Sequence, residues 1–227
     1  SSLDSLVSTI QKGKGFLMIG GNHSFGAGAY YQTPLGEILP VNMDAFEKQP
    51  FNSSKRRADL HLPGPVVLQP VRPHYLTRLF PGDPQEGWKK LPPLSSVNRF
   101  KGLKDQARVL LESTDGDPVL IQGNYGGRIL LFAGDSTWKW WTSGQKEVHK
   151  RFWRQIILWL ARRDGMGNDN IWVNLPQRRL EPETEIRFTC EASSPLGDRI
   201  DDAIFDATLI SPDGNENPIN VARLQAE

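Results

Sequence analysis

Cysteine is almost missing: among 227 residues there is one, Cys190. That excludes an internal disulfide framework and cysteine-rich metal sites, and it leaves the redox compartment open. Histidine is scarce as well, with His23, His61, His74 and His149 and no pair at the short spacings that ligate a metal. Neither a transition-metal centre nor a cofactor is expected. No apolar run approaches the roughly 18 residues needed to cross a bilayer, so no membrane segment is expected here. The chain opens without an initiator Met, which reads as a fragment of a larger parent, so the absence of a secretory leader at its start says little about that parent.

A long run of one charge is also lacking. The net charge of +1 nevertheless conceals an asymmetry: residues 1–165 carry 22 Lys or Arg against 14 Asp or Glu, and residues 166–227 carry 5 against 12. Two such compositions suggest two physical units. The one compact basic cluster, Lys55-Arg56-Arg57, is too short to signal nucleic acid.

What is present points to an α/β fold. Leu3, Leu6, Val7 and Ile10 form the stripe of a short helix, and Phe16 to Ile19 is an unbroken apolar run. Such a run suits a parallel strand buried on both faces, so neighbours on both sides are expected. Gly20, Gly21, Gly26 and Gly28 give the next loop backbone freedom. Nine prolines between Pro50 and Pro93 break residues 50–106 into an elaborated loop region, with a short strand at Val66-Val67-Leu68 and a turn or two of helix in His74 to Phe80. Strands resume at Arg108 to Glu112, Val119 to Ile121 and Arg128 to Ala133, with a hairpin turn at Asn124 to Gly127. A helix follows from about Gln145 to Arg163, with Thr142 and Gln145 placed for a capping box. Gly165 stops it. Beyond, Ile171 to Val173, Glu185 to Cys190 and Ala203 to Ile210 alternate as half-buried strands, followed by a turn over Ser211 to Gly214. They are too few for a complete sandwich.

The glycine-rich loop fails two nucleotide-binding templates. Ala27 follows Gly26 where a phosphate-binding loop needs Lys, and Tyr31 stands where a dinucleotide fingerprint needs its third glycine. Against a hydrolase elbow, Ser24 has Gly26 on the far side but Asn22 on the near side. His23, adjacent in sequence, is badly placed to serve Ser24 as a base. Local capping by Asn22, His23 and Ser24 is the plainer role. Asp135-Ser136-Thr137 sits past an apolar strand, where α/β folds present binding groups, and the same residues make a good local turn. Five of seven tryptophans fall between Trp138 and Trp159, a spacing that favours core filling.

Two stretches, Gly15 to Gly26 and Gly126 to Trp140, together with His149 to Gln155 and Trp159-Leu160, resemble the class I glutamine amidotransferase-like domains of large bacterial proteins common in planctomycetes. The loop from Gly20 to Gly28 resembles that superfamily's nucleophile turn. The resemblance implies a flavodoxin-like three-layer sandwich with a mostly parallel sheet over residues 1–165, lacking its first strand and helix; the alternating strands over 166–227 suggest a partial immunoglobulin-like β module. It also implies a parent carrying membrane segments elsewhere, and hence a periplasmic or envelope-associated location; a cytoplasmic one stays open. True members present a cysteine on the elbow and a histidine with a glutamate after a later strand. Here the elbow carries Asn22-His23-Ser24, and Gly134-Asp135-Ser136 follows the later strand, so glutaminase activity is not expected. The leading expectation is a non-catalytic module that binds a protein or small ligand through Asn22, His23, Ser24, Phe25, Asp135, Ser136, Thr137 and Trp138. The alternative is a divergent hydrolase using Ser24 or Ser136 with His23 or Asp135.

Overall fold

The computed structural model describes residues 2–53, 56–80, 84–163, 171–174, 188–192, 200, 202–211, 213–219 and 221. Lys55 of the basic cluster, the helix stop at Gly165, the alternating residues 185–187 and Pro212 of the last turn lie outside them. The chain divides into two compact units, Ser1–Asn168 and Asp169–Glu227.

The first unit opens with α1 (Ser2–Gln11), whose buried Val7 and Ile10 follow the predicted stripe, and with β1 (Phe16–Ile19). Next come the short α2 (Pro34–Ile38), β2 (His61–Val66) and β3 (Leu68–Pro70), then α3 (Pro84–Lys89) and β4 (Leu94–Asn98). The chain continues through β5 (Arg108–Ser113), β6 (Pro118–Tyr125) and β7 (Gly127–Phe132), and ends in α4 (Trp138–Thr142) and α5 (Lys146–Leu160).

The central sheet has the order β1-β7-β6-β5-β3, and β2 pairs with β4 separately. This mixed α/β architecture fits a flavodoxin-like amidotransferase fold. The sheet itself corrects the expectation of a mostly parallel one: β1 runs parallel to β7, whereas β7–β6, β6–β5 and β5–β3 are antiparallel. Connection length explains the β7–β6 and β6–β5 pairs. Gly126, at φ +74°, turns β6 directly into β7, and a short turn joins β5 to β6; such links permit only antiparallel neighbours. Over a hundred residues separate β1 from β7, room enough for the crossover a parallel pair requires.

Hydrophobicity decides position within the sheet. Val119, Leu120 and Ile121 of β6 and Ile129 to Phe132 of β7 are fully buried, so these two strands are the centre. β1, expected between two neighbours, is an edge among the described residues, with Ile19 exposed. Phe132 meets Phe152 and Trp153 of α5 edge-on, and Trp88 and Trp140 complete that aromatic cluster. The capping box at Thr142 does not form. Thr142 ends α4 and donates to the Lys139 carbonyl, and Gly144, at φ +91°, breaks the chain before α5 begins uncapped.

In the second unit, β8 (Ile171–Asn174) pairs antiparallel with β9 (Thr189–Ala192), and β10 (Ala207–Ile210) pairs with β11 (Glu216–Ile219). The latter pair is a hairpin closed by Ser211 and Asn215 around Gly214.

Candidate functional site

Because β1 and β7 are parallel and in register, Ile19 beside Phe132, the loops that follow them leave the same end of the sheet. The Gly20 amide donates to the Phe132 carbonyl at 2.7 Å. A β-carbon on Gly20 would lie 2.1 Å from the Ala133 carbonyl oxygen. One on Gly26 would overlap the buried carboxylate of Glu47 at 1.6 Å. These glycines are therefore needed for close approach rather than for backbone freedom.

The left-handed backbone falls elsewhere, on Phe25 (φ +57°) and Ala29 (φ +59°). Phe25 heads a 3₁₀ turn, Phe25–Gly28, six residues past the end of β1, so the strained position of this loop belongs to a phenylalanine. Its ring is 2% exposed and packs edge-on against Phe100 with centroids 5.1 Å apart. Phe25 thus supports the loop from inside and offers no side chain to a ligand.

Ser24 precedes it and makes no cap bond; its hydroxyl donates back to the Ile19 carbonyl at 3.1 Å. The His23 ring stacks on Phe51 at 4.7 Å, and its Nε2 lies 3.2 Å from the Pro50 carbonyl. Both side chains are half-buried and Asn22 is exposed. Ser24 and His23 are therefore each engaged with backbone carbonyls in different directions, as their adjacency suggested.

After β7, Asp135 is exposed while Ser136 and Thr137 are buried. Neither hydroxyl makes the local turn expected of it. The Ser136 oxygen accepts from the Ser95 amide at 2.8 Å, fastening β4 to this loop, and the Thr137 oxygen accepts from the Trp153 indole at 3.2 Å. Trp140 and Trp159 are buried as core, but Trp138 is 57% exposed and Trp141 is exposed beside Lys146 and Lys150. Of the expected binding residues, Asn22, His23, Ser24, Asp135 and Trp138 face solvent wholly or partly, whereas Phe25, Ser136 and Thr137 are structural.

Sequence reasoning missed the residue that joins the two loops. Asn98, 3% exposed at the end of β4, accepts from the Gly21 amide through Oδ1 at 2.9 Å and donates to the Gly21 carbonyl through Nδ2 at 3.0 Å. Its own amide donates to the Ala133 carbonyl at 2.9 Å. His61, buried opposite on β2, lies 3.4 Å from Nδ2 through Nδ1. Asn98 lay in a proline-broken stretch and carried no motif.

Glu47 is also buried. Burial, followed by the charge of Asp44, pushes its carboxyl above the usual range, against the pull of Lys101 at 3.9 Å. Among the described residues no group of His, Cys, Asp and Glu could hold a metal ion, and no helix is long and apolar enough to cross a membrane.

A mixed α/β domain with paired loops at one sheet end and a strained elbow places the first unit among flavodoxin-like, amidotransferase-type domains. More particularly, the chain belongs to the glutamine amidotransferase-like family GATase1_like, described as "Putative glutamine amidotransferase", whose profile matches residues 1–162. The chain is similar in structure to the cytoplasmic protein STM1381 from Salmonella typhimurium LT2, with a TM-score of 0.54 and 24% identity over 70% of this chain and 60% of that one. It is likewise similar to the cytoplasmic protein STM3548 from Salmonella typhimurium, with a TM-score of 0.53 and 25% identity over 70% of this chain and 59% of that one. The match thus spans about three-fifths of the length of each structural relative. No curated protein matches the chain.

Proposed function

We propose that residues 1–165 form a non-catalytic amidotransferase-like module that binds a protein partner or small ligand. The binding groups are Asn22, His23, Ser24, Asp135 and Trp138, at the shared end of β1 and β7. The carrying observation is Phe25: where a hydrolase elbow needs its nucleophile on the sharp turn, this chain has a buried ring. The backbone strain of an elbow is kept without the group it usually presents. The solvent-facing groups that remain are an amide, an imidazole, a hydroxyl, a carboxylate and an indole, a set suited to recognition. Residues 166–227 form a partial immunoglobulin-like module, a reading supported by the antiparallel pairs β8–β9 and β10–β11. We place this module in a larger bacterial envelope-associated protein.

The hydrolase alternative draws little support from the hydrogen bonds. Ser24 and His23 turn to separate carbonyls, and Ser136 is buried as the acceptor of a backbone amide. A fragment screen followed by amide chemical shifts tests the binding reading. Ligands that perturb Asn22 to Ser24 and Asp135 to Trp138 together support it, and ligands clustering elsewhere refute it.

A further inference from the structure

His61 and Asn98 are cross-strand partners on β2 and β4, which stands their side chains together on one face. The hydrogen-bond roles of this pair are fixed from the elbow inward. The Gly21 N–H can only donate, so the Asn98 atom 2.9 Å away is its oxygen. The NH₂ then donates to the Gly21 carbonyl, and its second proton points at His61 Nδ1, 3.4 Å away. Nδ1 must therefore accept, and the neutral ring carries its proton on Nε2. That Nε2 is fully buried and makes no well-formed hydrogen bond.

We propose that His61 and Asn98 form an acid-release latch on the Gly20–Gly28 loop, in which protonation of His61 turns the Asn98 amide and frees Gly21. The proposal rests on the reading of that loop as the binding element. An imidazolium bears protons on both nitrogens, so Nδ1–H would confront the Asn98 NH₂, donor against donor. The amide relieves the conflict by rotating, so that Oδ1 accepts from Nδ1–H. Rotation then sets the NH₂ against the Gly21 N–H and the oxygen against the Gly21 carbonyl, and both clamp bonds are lost at once.

The surroundings favour the closed state at neutral pH. Burial, and then the charge of Arg56, push the pKa of His61 below the usual histidine value; the Asn22 backbone pulls it up, His23 adds to the lowering and Asp59 opposes it. The folded protein therefore binds the proton more weakly than the unfolded chain. The latch is intact above the ordinary histidine pKa near 6.5 and opens as pH falls through the lower folded value.

The test is NMR on the unmodified chain, with imidazole ¹⁵N shifts and amide hydrogen exchange followed from pH 7.5 downward. His61 should be the Nε2–H tautomer at the start. As it titrates, exchange at Gly21, corrected for intrinsic pH dependence, should accelerate by about tenfold, the consequence of losing one backbone hydrogen bond. Exchange at Gly20, held by Phe132, should not follow. In His61→Gln, which keeps an acceptor and does not titrate, Gly21 protection should be constant with pH. An Nδ1–H tautomer at neutral pH, or Gly21 and Gly20 exchanging in parallel through the titration, would overturn the latch. No ligand enters these measurements, so a failure of the latch and a failure of the binding reading are told apart.

Discussion

Replacing Phe25 by glycine and by alanine gives two variants whose order of stability is unusual. Both lose the buried ring and its contact with Phe100, a loss of about 3–5 kcal/mol for a core phenylalanine. At most positions glycine is the worse of the two by roughly 0.4–1 kcal/mol, because it frees the unfolded chain. At φ +57° an L side chain instead costs about 1–2 kcal/mol, and glycine escapes that cost. The difference leaves Phe25→Gly ahead of Phe25→Ala by about 1 kcal/mol. Urea titrations of the two variants at equal m-value read this directly from their midpoints. Alanine equal to or better than glycine would mean that the backbone at residue 25 is not left-handed, and the argument that a phenylalanine holds the elbow's strained position would fail.

Asn98→Ala removes two bonds to Gly21 and leaves the buried Nδ1 of His61 without its donor, so a loss of about 2–4 kcal/mol is expected by denaturant titration. Gly20→Ala drives a methyl into the Ala133 backbone and should destabilise more than Gly116→Ala, whose β-carbon meets nothing within 4 Å and which bears only the strain of its φ of +89°; thermal melts of the pair check this. Glu47 has a raised pKa, so the native state holds its proton more tightly than the unfolded state, and stability falls as pH rises from about 4.5 through the folded value. Glu47→Gln should accordingly flatten stability across that interval, and an unchanged slope in denaturation at pH 4 and 7 would count against it. Ser136→Ala should lower stability through the orphaned Ser95 amide, measurable as a downward shift in melting temperature.

Elements with a buried stripe were legible in the sequence. α1, β5, β7 and α5 follow apolar patterns, and the turn at Asn124 to Gly127 follows its glycines, because local pattern and tertiary burial agree there; β1 was legible as a strand, but its apolar run did not reveal its place at the sheet edge. β4 was not legible. Leu94-Ser-Ser-Val-Asn98 alternates weakly among prolines, and its place comes from pairing with β2 and from the Ser136 hydroxyl. The site was half legible. The loop was visible through its glycines, but close packing against Ala133 and Glu47 is a tertiary cause no spacing reveals. Phe25 was expected among the ligand-binding residues, and only its backbone angle and its contact with Phe100 show it to be the loop's support. Ser136 and Thr137 invited a ligand role because hydroxyls near strand ends so often have one; here they tie β4 and α5 to the sheet.

The central claim is that this elbow carries no activated nucleophile. Incubation of the folded chain with a fluorophosphonate probe, with labelled residues mapped by mass spectrometry, tests it most directly. The account predicts no labelling at Ser24 or Ser136 above that of the denatured chain. Stoichiometric modification at either residue, abolished by its alanine variant, would contradict it.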